Sequence, residues 1–332
     1  MNRRVSALGW GLLLAAVGLL ALGAGVGSTG LESVLHLSDD PVAWQIVWEI
    51  RLPRTVGAWV AGALLGLAGA VAQGLFRNPL ADPYLLGSAS GASLGVALTL
   101  VLFGVSPFAT QWLARLGMTG GAFMGAVAGV LLTLLLAKGV QHTLRLLLAG
   151  VIVGVVLGAA KELVLLARPD LLQSMQAFML GSTAFVGWSA CLIMLGVLLA
   201  CAFVAWVLGP ALDGLSLGEF TARSLGLSLA PLRVALIGVI ALATGTAVAQ
   251  TGLIAFVGLA APHLVRSVAR TSHGRLALLS AGMGGALLLA SDILARGLLA
   301  PQELPVGVLT AVLGGTYLLW LMHRRVRGVG AI

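Results

Sequence analysis

The sequence predicts an all-α polytopic membrane protein with about ten transmembrane helices. Three observations carry this prediction: 59% of the 332 residues are hydrophobic, only 9% are charged, and 46 are glycine. A soluble domain carries roughly 25% charged residues, and its folded surface needs polar groups that this composition does not supply. One crossing needs about 20 apolar residues. The hydrophobic residues, about 196 (59% of 332), therefore suffice for about ten crossings, and a water-soluble enzyme is excluded.

Apolar runs separated by short polar breaks give the expected spans in order. They are Val5–Val26, Thr55–Leu75, Leu86–Phe103, Gly117–Ala137, Leu144–Leu166, Ser189–Leu208, Ala230–Gln250, Gly258–Val268, Leu276–Leu294 and Pro305–Met322. The run at Gly258–Val268 is too short to cross alone. We expect Thr251–Val257 to continue it as irregular backbone, which is tolerated in a membrane only where protein buries it. The chain, residues 1–332, is expected to be one membrane domain whose longest polar stretches are residues 27–54 and 209–229.

Basic residues are unevenly divided between the two sides of the membrane. With ten spans both termini share a side, and thirteen loop residues fall there against five on the other side. The thirteen are Arg3, Arg4, Arg77, Lys138, Arg145, Arg223, Arg233, Arg266, Arg270, Arg275, Arg324, Arg325 and Arg327. The five are Arg51, Arg54, Arg115, Arg168 and Arg296. Because positively charged loops stay in the cytoplasm, both termini are expected there. Orientation also accounts for the net charge of +8, so no nucleic-acid partner is expected.

Glycines recur at intervals of four residues within several spans. These sets are Gly62–Gly66, Gly91–Gly95, Gly121–Gly125–Gly129 and Gly150–Gly154–Gly158. The spacing places the glycines on one helix face, where a neighbouring helix can approach closely. We expect close packing at these sets, although a glycine-rich composition also produces this spacing by chance.

Motifs for an energy source are missing from the sequence. No Gly-Lys-Ser/Thr context forms a Walker A loop, and no cysteine and histidine set has metal-site spacing. Ionisable residues within the spans are few: Lys161, Glu162 and Asp292. A proton-coupled carrier usually needs mid-membrane carboxylates. Lys161 and Glu162 are adjacent and should face different directions, whereas Asp292 can pair with Arg296 one helical turn later. The chain is thus a passive channel or a pathway driven by a partner.

Three stretches resemble a known family. The first is Arg51-Leu-Pro-Arg54 together with Phe76–Ser93 (FRNPLADPYLLGSASGAS), the second is Gly218–Leu229 (GEFTARSLGLSL), and the third is Glu303–Gly307 (ELPVG) with Pro262-His263 upstream. In this order they resemble the FecCD-type permeases of ABC importers for vitamin B12, ferric siderophores and haem, over essentially the whole chain.

The resemblance implies a type II importer fold in a bacterial inner membrane. It implies a homodimer with the pathway between the two copies, two cytoplasmic ATPase subunits and a periplasmic binding protein. ATP and Mg would bind the partner ATPase, so this chain is expected to bind no cofactor or metal and to be no enzyme. The implied cargo is a large iron chelate, haem or a ferric siderophore, with cobalamin as the alternative. A passive channel or a proton-coupled transporter is a more distant alternative.

The segment Gly218–Leu229 matches the family's ATPase-coupling helices. Its proposed coupling residues are Gly218, Glu219, Arg223 and Gly226. The residues agree with this role because Glu219 and Arg223 have helical spacing and Gly226 breaks the loop in two. A merely solvated loop is the alternative interpretation.

The resemblance places a cytoplasmic gate at Asn78, Leu80 and Thr143. Pro79 and Pro83 prevent a continuous helix at the first of these positions, so a stiff turn can hold Asn78 and Leu80 at a constriction. An ordinary interhelical turn is the alternative interpretation.

The resemblance also implies a pathway lined by the small hydroxyls of Ser88, Ser90 and Ser93. These side chains can instead bond to the carbonyl groups of their own helix.

Orientation does not explain the five arginines on the sparsely basic side, and the resemblance singles out three of them. Arg51, Arg54 and Arg296 match family positions that face acidic residues of the binding protein. The guanidinium group suits this task because its planar fork can bind one carboxylate through two hydrogen bonds. Alternatively, they anchor helix ends at lipid headgroups, with Glu49 or Glu303 as local partners.

Overall fold

The computed structural model describes residues 3–26, 41–103, 112–137 and 143–329. Within these ranges the regular structure is helical. The α-helices are α1 (Arg3–Gly25), α2 (Pro41–Ile46), α3 (Leu52–Leu75), α4 (Ser88–Phe103), α5 (Trp112–Leu136), α6 (Thr143–Ala167), α7 (Leu172–Leu180), α8 (Trp188–Val207), α9 (Gly209–Ser216), α10 (Glu219–Ser224), α11 (Leu229–Thr251), α12 (Val257–Val268), α13 (His273–Gly297) and α14 (Val306–Val329).

The ten predicted spans each coincide with one of these helices: α1, α3 to α6, α8 and α11 to α14. Seven helical segments are long and apolar enough to cross a membrane, and α4 and the apolar part of α14 are shorter. The break before α12 also occurs as expected. Residues 252–256 are not helical, and Phe256 adopts a left-handed backbone with φ 69°. The all-α polytopic fold class is confirmed.

The predicted polar stretch at residues 27–54 is too long. Residues 27–40 lie outside the described ranges, but α2 and a π-helical turn at Val47–Arg51 lead without interruption into α3. Because charged residues interrupt this region, the sequence pattern did not predict its apolar aromatic surface. Trp44 stacks on Trp48 with 6.3 Å between ring centroids, and the indole N–H of Trp188 donates to the Trp48 carbonyl at 2.9 Å. The short helix α7, between the fifth and sixth predicted spans, was also not expected.

Helix α3 lies at the centre of the molecule and packs backbone against backbone on α13. A Cβ atom added to Gly62 would lie 2.3 Å from the Gly284 carbonyl oxygen, and one on Gly66 would lie 2.1 Å from the Ser280 carbonyl oxygen. Such distances are too short for any side chain. Close packing through the first glycine set is therefore confirmed, and it joins α3 and α13 into one unit.

A second glycine contact joins α4 to α5. A Cβ atom on Gly91 would lie 2.2 Å from the Gly125 carbonyl oxygen, and one on Gly95 would lie 2.0 Å from the Gly121 carbonyl oxygen. The fourth set, on α6, behaves differently. Gly150 on α6 abuts the Leu85 carbonyl, but no described atom lies within 4 Å of a Cβ built on Gly158. As far as the described residues show, that part of α6 is open within a single copy.

Candidate functional site

Charged side chains gather at the two opposite ends of α3. At the end that we call the upper end, α3 begins beside the last turns of α1 and α13. At the lower end, α3 finishes beside the start of α13, and Gly74 contacts His273 there. The two ends hold the residues for which the sequence predicted docking and coupling.

The upper charge cluster consists of Arg54, Asp292, Arg296 and Glu303. Asp292 has no exposed surface. Its carboxylate accepts from Arg54 Nη2 at 3.2 Å and from Arg296 Nε at 2.9 Å. Arg54 also donates to both carboxylate oxygens of Glu303, at 2.8 and 3.0 Å. Two guanidinium groups thus face two carboxylates, which offsets the cost of burying the charges. The expected pairing of Asp292 with Arg296 is confirmed.

Further hydrogen bonds tie the upper charge cluster to neighbouring segments. Arg296 donates to the Gly23 carbonyl of α1 at 3.0 Å and to the Thr55 hydroxyl of α3 at 3.3 Å. The Thr183 hydroxyl, in the segment leading into α8, donates to Asp292 at 2.5 Å. The cluster therefore joins five parts of the chain at one point: α1, α3, the segment before α8, α13 and the segment between α13 and α14.

The three candidate docking arginines are buried in this single copy. Arg51 and Arg54 are each 8% exposed and Arg296 is 1% exposed. Arg54 has the local partner Glu303 that the anchoring alternative named. Arg51 lies next to the cluster, with Nη1 3.5 Å from the Gly25 carbonyl. The geometry brings the three together at one end, and docking itself stays a prediction.

The adjacent ionisable residues of α6 face different directions, as expected, because the Lys161 side chain is 7% exposed and that of Glu162 is 66% exposed. Lys161 and Glu162 are adjacent on α6, yet the lysine Nζ lies 2.8 Å from the Glu162 carboxylate. Their Cα–Cβ bonds diverge, but the flexible lysine chain reaches back along the helix. The buried ammonium group also lies 3.4 Å from the Met179 sulfur of α7. Among the hydrogen bonds of the described residues, none joins this pair to the upper charge cluster.

The candidate gate loop, residues 76–87, is held by short-range hydrogen bonds. The Asn78 side-chain oxygen accepts from the Leu80 backbone N–H at 2.9 Å, which forms an Asx turn. Asp82 accepts from the Tyr84 N–H at 2.8 Å, and the Tyr84 hydroxyl donates to the Ile254 carbonyl at 3.2 Å. The loop is thereby attached to the helix break before α12.

The predicted gate residues differ in whether the structure describes their side chains. Leu80 is 55% exposed on the gate loop. Thr143 is the first residue of α6, and its side chain lies outside the described part of the structure. An exposed leucine on a braced loop is available to close a constriction, and gating stays a prediction.

The three candidate lining serines differ in their surroundings. Ser93 donates to the Ala89 carbonyl at 2.9 Å, as the back-bonding alternative proposed. Ser88 is 1% exposed, and its hydroxyl has no hydrogen-bond partner among the described residues. Ser90 lines an open cavity of about 310 Å³ with Asp82, beside Gly150 on α6. Ser90 is therefore the best placed of the three to meet a solute, and pathway lining stays a prediction.

The predicted coupling residues lie in two short helices at the lower end. Gly218 has φ 111° and lets the chain turn from α9 into α10, and Gly226 has φ 81° just after α10. Apolar side chains project from this segment: Phe220 is 86% exposed, Leu217 66% and Leu225 63%. A water-exposed apolar surface of this kind is typical of a protein contact.

The two charged coupling residues face different directions. Arg223 is exposed on α10. Glu219 instead turns into the protein, where its carboxylate lies 2.5 Å from Arg233 Nη2 on α11 and 3.7 Å from Arg77 Nη2 on the gate loop. In the sequence, Arg77 and Arg233 were expected to be orientation charges alone. The position of Arg77 immediately before Asn78 was the one sequence signal that linked this arginine to the candidate gate.

Helix α9 is attached to α13 by a polar contact that is separate from the Glu219 contacts of α10. The Asp213 carboxylate accepts from the His273 backbone N–H at 3.0 Å and lies 2.6 Å from the ring Nδ1. The lower end therefore has one firm attachment at α9 and a separate one at α10.

Comparisons with known proteins agree on a single family. The FecCD transport family matches residues 13–324. The hemin transport system permease protein HmuU of Yersinia pestis is 39% identical over 335 residues, which cover 98% of both chains. The vitamin B12 import system permease protein BtuC of Vibrio cholerae is 38% identical over 84% of this chain and 83% of its own length.

A solved structure has the same fold along nearly the whole chain. It is an inward-facing conformation of a metal-chelate type ABC transporter, with a TM-score of 0.85 and 30% identity over 96% of this chain and 99% of that one. A chain of PsaBC from Streptococcus pneumoniae shares the fold at a TM-score of 0.59 and 18% identity.

Proposed function

The chain belongs to the FecCD transport family as a permease of the ABC importer class, and we propose that its cargo is a large iron chelate, haem or a ferric siderophore. The observation that carries the choice of cargo is the match to a hemin permease along 98% of both chains. Cobalamin is the alternative cargo, because the vitamin B12 permeases are nearly as similar but match less of this chain.

We propose that the working importer contains two copies of this chain, two cytoplasmic ATPase subunits and a periplasmic binding protein. The exposed Phe220, Leu217 and Leu225 support an ATPase contact at α9 and α10. The open face of α6, where Val155 is 67% exposed and Gly158 has no close neighbour among the described residues, supports a contact with the second copy. ATP and Mg would then act on the partner, and this chain would supply the pathway.

The test is uptake by the complete importer reconstituted in liposomes. Haem, a ferric siderophore and cobalamin would be supplied in parallel, each with the purified binding protein and with ATP inside or outside the vesicles. We expect ATP-dependent accumulation of an iron chelate. Accumulation of cobalamin alone would identify cobalamin as the cargo instead. ATP-independent passage of all three compounds would indicate a channel.

A further inference from the structure

One carboxylate joins the proposed coupling helix to the candidate gate loop. Glu219 is the first residue of α10, and it contacts Arg233 at 2.5 Å and Arg77 at 3.7 Å. Arg77 immediately precedes Asn78 and lies three residues before Leu80. We infer that the Arg77–Glu219 contact is a transmission link, through which a displacement of α10 by the ATPase moves the gate loop within the same copy. This inference rests on the proposed function, because it requires that α10 meets the ATPase.

The two arms of this link differ in their surroundings. The Arg233 side chain is 2% exposed and its contact is short, whereas the Arg77 side chain is 40% exposed and its contact is longer. Breaking a buried pair leaves an uncompensated charge and is costly, while an exposed pair separates with little penalty. Arg233 therefore holds the carboxylate in place, and Arg77 can engage or release it as α10 moves.

The backbone at Arg77 gives an independent reason to assign a role to its side chain. The Arg77 N–H bonds to the Gly74 carbonyl and the Asn78 N–H to the Gln73 carbonyl, which is a Schellman ending of α3. Arg77 occupies the left-handed position of this motif with φ 49°. Glycine is the usual residue there, because any Cβ is strained in that conformation.

Helix α10 provides the matched case inside the same molecule. It ends with the same pair of hydrogen bonds, from Gly226 N–H to the Arg223 carbonyl and from Leu227 N–H to the Ala222 carbonyl. Its left-handed position holds Gly226, with φ 81°. An arginine in the strained position at the end of α3 is best explained by what its guanidinium group contacts, since an observed outlier leads to a functional hypothesis.

One substitution distinguishes transmission from simple stabilisation, because it is expected to lower uptake without lowering thermal stability. Arg77→Gly removes the link but relieves the left-handed backbone, and it leaves the buried Glu219–Arg233 pair intact. We expect the variant importer to assemble, to retain its thermal stability and to hydrolyse ATP, while uptake per ATP falls roughly fivefold or more. Arg77→Lys should recover most of the uptake because it restores the charge. Glu219→Gln is a weaker test, because it leaves Arg233 buried without its carboxylate.

A gate reporter gives a readout that a structural role would not affect. The native cysteines, Cys191 and Cys201, are buried, so Leu80→Cys supplies an exposed thiol for maleimide labelling. ATP binding should change the labelling rate of Leu80→Cys in the otherwise native importer, and Arg77→Gly should abolish that change. Arg275→Gln, which removes an exposed arginine at the same end, is the charge-matched control and should leave the change intact.

Two outcomes would overturn the inference, and they can be told apart. If Arg77→Gly responds to ATP like the native importer and transports normally, the link transmits nothing, although the proposed function stands. If Phe220→Ala leaves ATPase assembly unaffected and ATP never alters Leu80→Cys labelling, the ATPase does not act through α10. In that case the coupling part of the proposed function fails and the inference fails with it.

Discussion

The two ends of α3 use the same chemistry in different surroundings. At the upper end, Asp292 lies between Arg54 and Arg296, and all three are buried and tied to further groups. At the lower end, Glu219 lies between Arg233 and Arg77, but the Arg77 side chain is 40% exposed. An arginine–carboxylate–arginine arrangement is therefore a fixed joint where burial prevents water from replacing a partner, and a releasable one where water can do so.

The largest effect would come from a test of which end faces the cytoplasm. The proposed ATPase contact lies at the lower end, and the loop charges predict that both termini lie on that side. A reporter that is active only in the periplasm, fused after Ile332, should be inactive, and one active in the cytoplasm should be active. The reverse pattern would place α9 and α10 beyond the reach of a cytoplasmic ATPase.

The next largest effect is expected at the centre of the upper charge cluster. Asp292→Asn should destabilise the fold by about 3–5 kcal/mol, because it leaves two buried guanidinium groups with Glu303 as the remaining carboxylate in the cluster. Thermal unfolding in detergent and the yield of folded protein would measure this. Asp170→Asn, in the exposed pair with Arg168, is the matched control and should change little. If the two variants behaved alike, the cluster would not be the fixed joint described here.

The smallest effect separates binding-protein docking from anchoring at the upper end. Arg51 lies beside the upper charge cluster, with Nη1 3.5 Å from the Gly25 carbonyl of α1, so thermal unfolding of Arg51→Glu is measured first and docking is compared for folded protein. If Arg51 meets an acidic group of the binding protein, the substitution should slow docking and flatten its salt dependence, since rim charges act mainly on association rates. Surface plasmon resonance at several salt concentrations would measure both quantities.

Two further observations would complete the docking test. A Glu→Arg change on the binding protein should restore part of the lost rate. An unchanged association rate and an unchanged salt dependence would leave Arg51 with an anchoring role alone.

Hydropathy was sufficient to predict the ten spans, because polar and charged residues mark the breaks between the apolar runs and each run coincides with one helix. The stretch preceding α3 was misjudged for the same reason: Glu49, Arg51 and Arg54 interrupt the apolar pattern, although two of these three side chains are buried by their neighbours. Glycine spacing predicted which helix faces come close, but not that Gly158 would have no close neighbour among the described residues.

The partners of the charged residues could not be predicted from spacing alone. Asp292 and Arg296 are one turn apart, so their pairing follows from helix geometry. Arg54 and Asp292 are separated by 238 positions, and their contact depends on which helices are neighbours. Glu219 was grouped with Arg223 for its helical spacing, yet the fold turns it towards Arg233 and Arg77. Long-range contacts of this kind require the tertiary arrangement.

The glycine contact between α3 and α13 has a mechanical consequence for the whole molecule. Arg54 lies at the start of α3 and Arg77 just past its end, so this helix of 24 residues spans about 36 Å between the two charged groups. With Gly62 and Gly66 pressed against the backbone of α13, the helix has little room to bend or slide. We therefore expect α3 to move as one rigid body, so that a tilt at one end also moves the other end.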